Sequence, residues 1–496
     1  MSFLESLPRF PARPRRSLNW EIGATILVLA ATLVCAWPEL RGMATTSLWQ
    51  DELYSIEHYS SKGPLFTMTH YTFANNHIFF NLLNSITPGK NRFEPLRARF
   101  WSIIFLSLTV TVILISQISA RRPFLGSLQV FLLLANIPLL DLLLQARGYC
   151  FLAFAALTCT VLTWRYFRHP SLLPLIGLPL MIWLGTWTVP TFGMFGATLL
   201  ITLLLYTRDW RWLPAGASAC AAILIVYWPV RASFLEIART YASIWGKEFG
   251  DWNAVNNVLS TYFLFGAANW FTFLVSALLI VGVTRHFSRS AETKTSLCVG
   301  LSVLVTFIVC LAMETAARRT VAYTVIPLGF VAVTLFGHFL RHIAFPPTRI
   351  FVTTIVVLAA LAFSAHLRRT FRFVPIEAWR ETAREIENRF PKGTEIVARF
   401  RPQWLGVYLS SNYPVTRQFD LAKFSSGRQI VVDSSFSLAQ QNTGEGIGTD
   451  FPVSLLPPAY RTATVPQQRG GMQKIYFSKS INESPPRHKA NQLQRQ

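Results

Sequence analysis

Charged residues are scarce, making up 14% of the 496 positions, and they are almost missing from the long apolar runs. A soluble core does not need uncharged stretches of about twenty residues, the length at which a helix crosses roughly 30 Å of hydrocarbon. An ordinary soluble globular domain is thereby excluded. Cysteine is sparse as well. The six (Cys35, Cys150, Cys159, Cys220, Cys298 and Cys310) lie in or beside apolar runs, form no CxxC pair and avoid the polar tail, so neither a disulfide framework nor a zinc site is indicated. No internal repeat, low-complexity tract or tight inverted symmetry is visible, which weighs against a secondary-transporter architecture. Acidic residues are few, 24 against 46 basic ones, for a net charge of +22. In a soluble protein that excess would raise nucleic-acid binding. Here the basic residues sit largely in pairs between apolar runs, as expected where they hold loops on the cytoplasmic side and meet anionic membrane lipid, and no nucleic-acid partner is expected.

Apolar residues supply 52% of the chain and aromatic residues 14%, a composition suited to lipid as solvent. Arg9, Arg13, Arg15 and Arg16 precede the first run, which at about twenty residues is too long for a signal-peptide core and reads as a retained span. That span covers about Trp20 to Leu40, between a cytoplasmic N-terminus (1–19) and an outer loop (41–98). Inside the loop, Phe73, Ile78, Phe79, Leu82, Leu83 and Ile86 fall at helical spacing, an interfacial amphipathic segment too short to span. Further spans begin near Phe100, Phe124, Tyr149, Leu172, Thr191, Trp212, Leu259, Ser296, Thr320 and Ile350, about eleven in all. Leu172 to Leu205 reads either as one kinked element or as two helices turning at Val189 and Pro190. The membrane-embedded part is expected over 20–366.

With the N-terminus cytoplasmic, the turns holding Arg121 and Arg122, Arg165 and Arg168, Arg208 and Arg211, Arg285 and Arg289, and Arg341 and Arg349 face the cytoplasm. Arg147, Arg318 and Arg319 fall on the opposite side, against the bias. An anion-binding active site would account for them. From about Ala365 the composition turns polar and no further span follows. Ile376 to Phe390 has helical spacing, ended by Pro391 and Gly393; Glu395 to Ala398 reads as a strand, Pro402 to Leu409 as a helix and Gln429 to Val432 as a strand. A small soluble α/β domain is expected over 367–480, extracytoplasmic by this span count, followed by a disordered tail at 481–496.

Four clusters could carry chemistry. Asp51 and Glu52, flanked by Trp49 and Tyr54, place two adjacent acids about ten residues beyond the first span. A carboxylate partly shielded from water can act as general base toward a hydroxyl, while a solvated pair of loop acids has the same spacing. Asn75, Asn76 and His77 gather donors and acceptors of the kind that bind sugar hydroxyls, or alternatively cap the following helix. Gln145-Ala146-Arg147-Gly148-Tyr149 offers a guanidinium fork suited to a phosphate and a glycine permitting close backbone approach; the alternative is a snorkelling arginine beside an aromatic anchor. Arg318 and Arg319, with Tyr323 beyond and Glu314 before, could clamp a lipid phosphate or anchor a helix to headgroups.

In this order, these motifs resemble the membrane glycosyltransferases of the GT-C fold, in particular the protein O-mannosyltransferase and aminoarabinose transferase relatives. The resemblance covers roughly the first 330 residues and is anchored by Trp49, Asp51, Glu52 and Tyr54, by Asn76-His77, by Arg97-Ala98-Arg99, and by Gln145 through Tyr149. It implies an α-helical polytopic inner-membrane protein that moves a sugar, with inversion, from a polyprenyl-phosphate donor to an acceptor hydroxyl outside the cytoplasmic membrane. The acceptor class, whether glycan, lipid or protein, is left open. On this likeness Asp51 matches the catalytic base, Glu52 positions acceptor or sugar, and His77 lines a donor site with Asn76, Tyr54 and Tyr149 around it. Arg147 or the pair Arg318-Arg319 would hold the lipid phosphate. Many relatives carry an acid two residues before the arginine, where this chain has Gln145. No cofactor is called for with certainty, and a divalent metal stays open with Asp141 as the substitute ligand. The rival readings are a transporter or flippase of lipid-linked saccharides and a non-catalytic subunit of a polysaccharide assembly complex. The first would keep ionisable residues inside its spans, which are almost devoid of them. The second would make the acidic pair incidental.

Overall fold

A run without charge can satisfy its backbone in lipid only by coiling into a helix, and the long runs do so. The structure, a computed structural model, describes residues 15–72, 76–89, 91–249, 290–312, 322–342, 379–398, 402–416, 418–435, 460–466 and 472–478. In chain order the helices up to the tail are α1 (Arg15–Thr45), α2 (Gln50–His58), α3 (Pro64–Thr69), α4 (Ile78–Ile86), α5 (Pro95–Ala98), α6 (Phe100–Ser119), α7 (Pro123–Ala135), α8 (Ile137–Leu144), α9 (Tyr149–Arg168), α10 (Leu172–Thr188), α11 (Phe192–Thr207), α12 (Trp212–Tyr227), α13 (Arg231–Phe249), α14 (Ala291–Ala312) and α15 (Val325–His342). Among the described residues five helices are long and apolar enough to cross a membrane, or up to six if one bent pair counts as a span. The chain is an integral membrane protein. The spans expected from Leu259 and Ile350, the residues Phe73 to Asn75, the pair Arg318-Arg319 and the tail beyond 480 lie outside the described residues.

The stretch that begins near Phe124 is broken into two helices. Asn136 ends α7 and caps α8, its side chain accepting from Leu139 N at 3.2 Å. Pro138 has no N–H to continue the ladder, and the two helices meet at 77°. Leu172 to Leu205 resolves into two helices, α10 and α11, with Val189 to Thr191 as the turn between them. The amphipathic segment is the short helix α4, and its polar face points inward: Asn81 donates to Asn76 Oδ1 at 3.0 Å and Asn84 to the Ala98 carbonyl at 3.2 Å, while Ile86 is exposed. This helix is set into the protein by its amides, a different role from one lying with its apolar side in the interface.

The tail adds α16 (Trp379–Arg389), α17 (Pro402–Tyr408) and α18 (Leu421–Ser425), and the strands β1 (Glu395–Ala398), β2 (Val415–Thr416), β3 (Gln429–Ser435), β4 (Tyr460–Pro466) and β5 (Met472–Ser478). They form one sheet in the order β2-β1-β3-β5-β4. The pairs β1–β2 and β1–β3 are parallel, with Ile396 opposite Val415 and Ile430, whereas β3–β5 and β4–β5 are antiparallel. Trp379, Ala383, Ile386 and Ile396 share a buried core with Leu48, Leu53, Ile56, Ala98 and Ala146. The α/β unit is therefore packed onto α2 and its approaches.

One end of the bundle collects the C-terminal end of α1, the start of α6, the 145–148 link between α8 and α9, and the C-terminal end of α10: Arg99 reaches the Met43 and Thr46 carbonyls, Ser102 donates to the Gln145 carbonyl, and Thr188 lies against Gly148. The opposite end carries Arg121, Arg122, Arg165, Arg168, Arg208 and Arg211.

Candidate active site

Asp51 and Glu52 lie in the first turn of α2, directly after Trp49, whose extended backbone (φ −75°, ψ 157°) opens the helix. Adjacent helix positions point about 100° apart, and the two acids have opposite surroundings. Glu52 is fully buried and accepts four hydrogen bonds: from Arg99 Nε at 2.9 Å and Ala146 N at 2.5 Å on one oxygen, and from Arg99 Nη2 and Trp49 N, both at 2.7 Å, on the other. Arg99 in turn donates to the carbonyls of Met43, of Thr46 at 3.1 Å and of Ser47 at 3.1 Å. All five guanidinium hydrogens are engaged. Burial alone would lower the proton affinity of this guanidinium, but the charge and hydrogen bonds of Glu52 outweigh it and raise its pKa, so Arg99 stays charged and the pair forms a cross-brace. It ties the ends of α1 and α8 to the starts of α2, α6 and α9.

Asp51 faces the other way and keeps a side-chain exposure of 20%, against 4% for Arg147, whose Nη1 donates to Asp51 Oδ2 at 3.0 Å. The same guanidinium lies 5.0 Å from the centre of the Tyr149 ring and 5.9 Å from that of Trp49. Its Nη2 is 3.2 Å from His77 Nε2, while Gly148 N donates to His77 Nδ1 at 3.3 Å. Both ring nitrogens of this buried histidine therefore meet donors. A neutral imidazole can accept from one of them, and an imidazolium from neither. Burial first, and the Arg147 charge second, hold the His77 pKa well below the ordinary value of 6.5. Gly148 is required by close approach: a Cβ there would stand 2.0 Å from Thr188 Cγ2 and 3.1 Å from His77 Nδ1. The sequence suggested that this glycine makes room for a headgroup; in the structure it makes room for α10 and His77.

Of the remaining residues singled out in the sequence, Asn76 is buried and uses its amide hydrogens on the carbonyls of His70 at 2.7 Å and Thr67 at 3.3 Å, so it fixes the loop ahead of His77. Tyr149 is buried edge-on to His77, with ring centres 5.0 Å apart. Tyr54, one turn beyond Asp51 and partly exposed, stacks on His58 at 3.9 Å, and burial raises its pKa. Asp141, on α8, contributes to the field that keeps Arg99 charged. Among the described residues no three His, Cys, Asp or Glu side chains gather as metal ligands. Arg99 belongs to the Arg97-Ala98-Arg99 motif, whose letters alone assign it no role. An arginine at the site end of a span, against the charge bias, was the available signal. Nothing in the sequence pointed to Thr188 or Tyr408.

No protein-family model and no curated protein sequence matches the chain. Among solved structures it is similar to the crystal structure of ArnT from Cupriavidus metallidurans bound to undecaprenyl phosphate, with 12% identity over 92% of this chain and 98% of that one and a TM-score of 0.45. The apo state of the same protein gives 13% identity, the same coverage and a TM-score of 0.44. The archaeal oligosaccharyltransferase AglB from Archaeoglobus fulgidus, in complex with an inhibitory peptide and a dolichol-phosphate, is 12% identical over 82% of this chain and 62% of that one, with a TM-score of 0.43.

Proposed function

We propose that this chain is an inverting membrane glycosyltransferase that moves a sugar from a polyprenyl-phosphate donor to an acceptor hydroxyl. The observation that carries the reading is the contact of Asp51 with Arg147 at 3.0 Å, two groups 96 residues apart that meet at one end of the bundle with the acid left partly open. A base and a cation at one membrane surface are the two parts that this transfer needs. In the proposed reaction the acceptor oxygen bonds to the anomeric carbon from the face opposite the phosphate, and its proton passes to Asp51. The bond from that carbon to the phosphate oxygen breaks, and its electron pair leaves on the phosphate, where Arg147 offsets the charge. Neutral His77 lines the donor side without adding a second cation. Glu52, saturated by Arg99 and two backbone N–H groups, acts as a positioning residue one place after the base and, through Ala146, one place before the arginine. With the arginine-rich end in the cytoplasm, as the loop bias favours, this chemistry lies on the outer face of the cell membrane, beside the α/β unit.

The test is to give purified full-length protein a panel of radiolabelled polyprenyl-phosphate pentoses and hexoses and to follow release of polyprenyl phosphate, with Asp51→Asn as comparison. Turnover by wild type and its loss in the variant are expected. Turnover that survives the substitution would remove the base, and movement of intact lipid-linked sugar across vesicles without bond cleavage would replace transfer by transport.

A further inference from the structure

The four residues that join α1 to α2, Thr46 to Trp49, have no regular secondary structure, yet Ser47, Leu48 and Trp49 are buried. A buried irregular backbone must find partners for its N–H and C=O groups elsewhere. From the membrane side Arg99 takes the carbonyls of Thr46 and Ser47, and Glu52 takes the N–H of Trp49. From the other side the partners come from the α/β unit. The Tyr408 hydroxyl, on α17, accepts from Leu48 N at 3.1 Å; Glu381, on α16, accepts from Ser47 N at 3.4 Å; and Arg380 donates to the Thr45 carbonyl at 2.8 Å. Leu48, Leu53 and Ile56 lie in one core with Trp379, Ala383 and Ile386, so the polar contacts are surrounded by apolar packing that keeps water from replacing them. Burial raises the pKa of the Tyr408 phenol and keeps it in its neutral form.

We infer that the C-terminal α/β unit is a working part of the active site, with Tyr408 and Arg380 as positioning residues that clamp the α1–α2 link and so hold Asp51 in register with Arg147. The inference rests on the transfer reading above for its functional half alone. Tyr408 touches the link at Leu48 and Arg380 the last carbonyl of α1, at Thr45, so their effect passes through the backbone that opens α2. Without the hydroxyl, Leu48 N is left buried with no acceptor, the link reorders, and the acid in the first turn of α2 loses its fixed approach to the arginine. A displacement of about 1 Å at a reacting group can lower turnover roughly 100-fold, and the loss of one of several clamping contacts is expected to cost about tenfold.

The experiment compares full-length wild type and Tyr408→Phe in lipid nanodiscs by hydrogen–deuterium exchange, with no substrate added. Peptides spanning residues 44–58 are expected to exchange about tenfold faster in the variant, while peptides from α9 keep their wild-type rate. On whichever polyprenyl-phosphate sugar of the panel the wild type turns over, kcat falls about tenfold and the donor KM stays within about twofold. Arg380→Ala gives the same pattern and Arg380→Lys restores it, which covers the case of a poorly folded phenylalanine variant. Unchanged exchange over 44–58 would overturn the clamp. Faster exchange with unchanged kcat would overturn its positioning role. A wild type that turns over no donor in the panel would remove the transfer reading, and the exchange comparison would still judge the clamp by itself.

Discussion

Asp51 and Glu52 are adjacent in the sequence, and the structure treats them as opposites. Glu52 is closed off, and all its hydrogen-bonding capacity goes to Arg99 and two backbone N–H groups. Asp51 pairs with Arg147 and keeps a side-chain exposure of 20%. A step of one residue around a helix separates a brace from the proposed base. Each acid also has its own arginine, and the two arginines sit at the starts of different helices, α6 and α9. The cross-brace is thus built beside the Asp51–Arg147 pair without sharing a side chain with it, so the proposed exchange of proton or partner at Asp51 need not disturb the fold.

That division can be broken from either side. Asp51→Asn is expected to lower turnover by roughly 1,000-fold, within the range a positioned general base contributes, and to leave the thermal unfolding midpoint close to wild type. Glu52→Gln should do the reverse at first sight. It strands Arg99 in a buried site, for which removal of one partner costs about 3–5 kcal/mol, so the midpoint in detergent drops by many degrees and whatever folded protein remains retains donor binding. Should the two variants lose stability equally, the acids would not be divided in this way. Arg147→Lys has a smaller expected effect. A point charge replaces a planar fork, and the affinity for polyprenyl monophosphate, measured by titration calorimetry, weakens about tenfold; an unchanged affinity would assign the phosphate to other residues.

Much of the scaffold was legible because its cause is legible: an uncharged run of about twenty residues has one stable form in lipid. That Asp51 and Arg147 lie at the same end of the bundle could be read from order and sidedness, but not that their side chains pair. The inward turn of Glu52 could not, because neighbouring letters do not reveal which face of a short helix is covered. Pro138 lies inside an apolar run and marks the break between α7 and α8 only once the 77° bend is seen. In the tail, β1 and β3 announce themselves as Ile-Val-rich stretches, whereas β4 (Tyr460–Pro466) is mixed polar and apolar and lies at the sheet edge, where one side needs no partner strand. Tyr408 acts across 360 residues of sequence on Leu48 N, a distance at which no local pattern carries information.

The smallest expected effect concerns the ring on the far side of Arg147. The folded-state pKa of His77 lies well below 6.5, lowered by burial and then by the Arg147 charge. As pH falls below the ordinary value the unfolded chain takes up a proton that the folded one refuses, so stability is constant at high pH and declines through the interval between 6.5 and the folded pKa. The slope there cannot exceed about 1.4 kcal/mol per pH unit for a single group. The unfolding midpoint should therefore sag as pH falls below about 6.5, and His77→Gln, which cannot titrate, should remove that part of the sag while lowering the midpoint at pH 8 through the lost contacts with Gly148 and Arg147. If the acid sag is as steep in the variant as in wild type, the proton goes to another group, and His77 loses its proposed part as the neutral wall of a donor side.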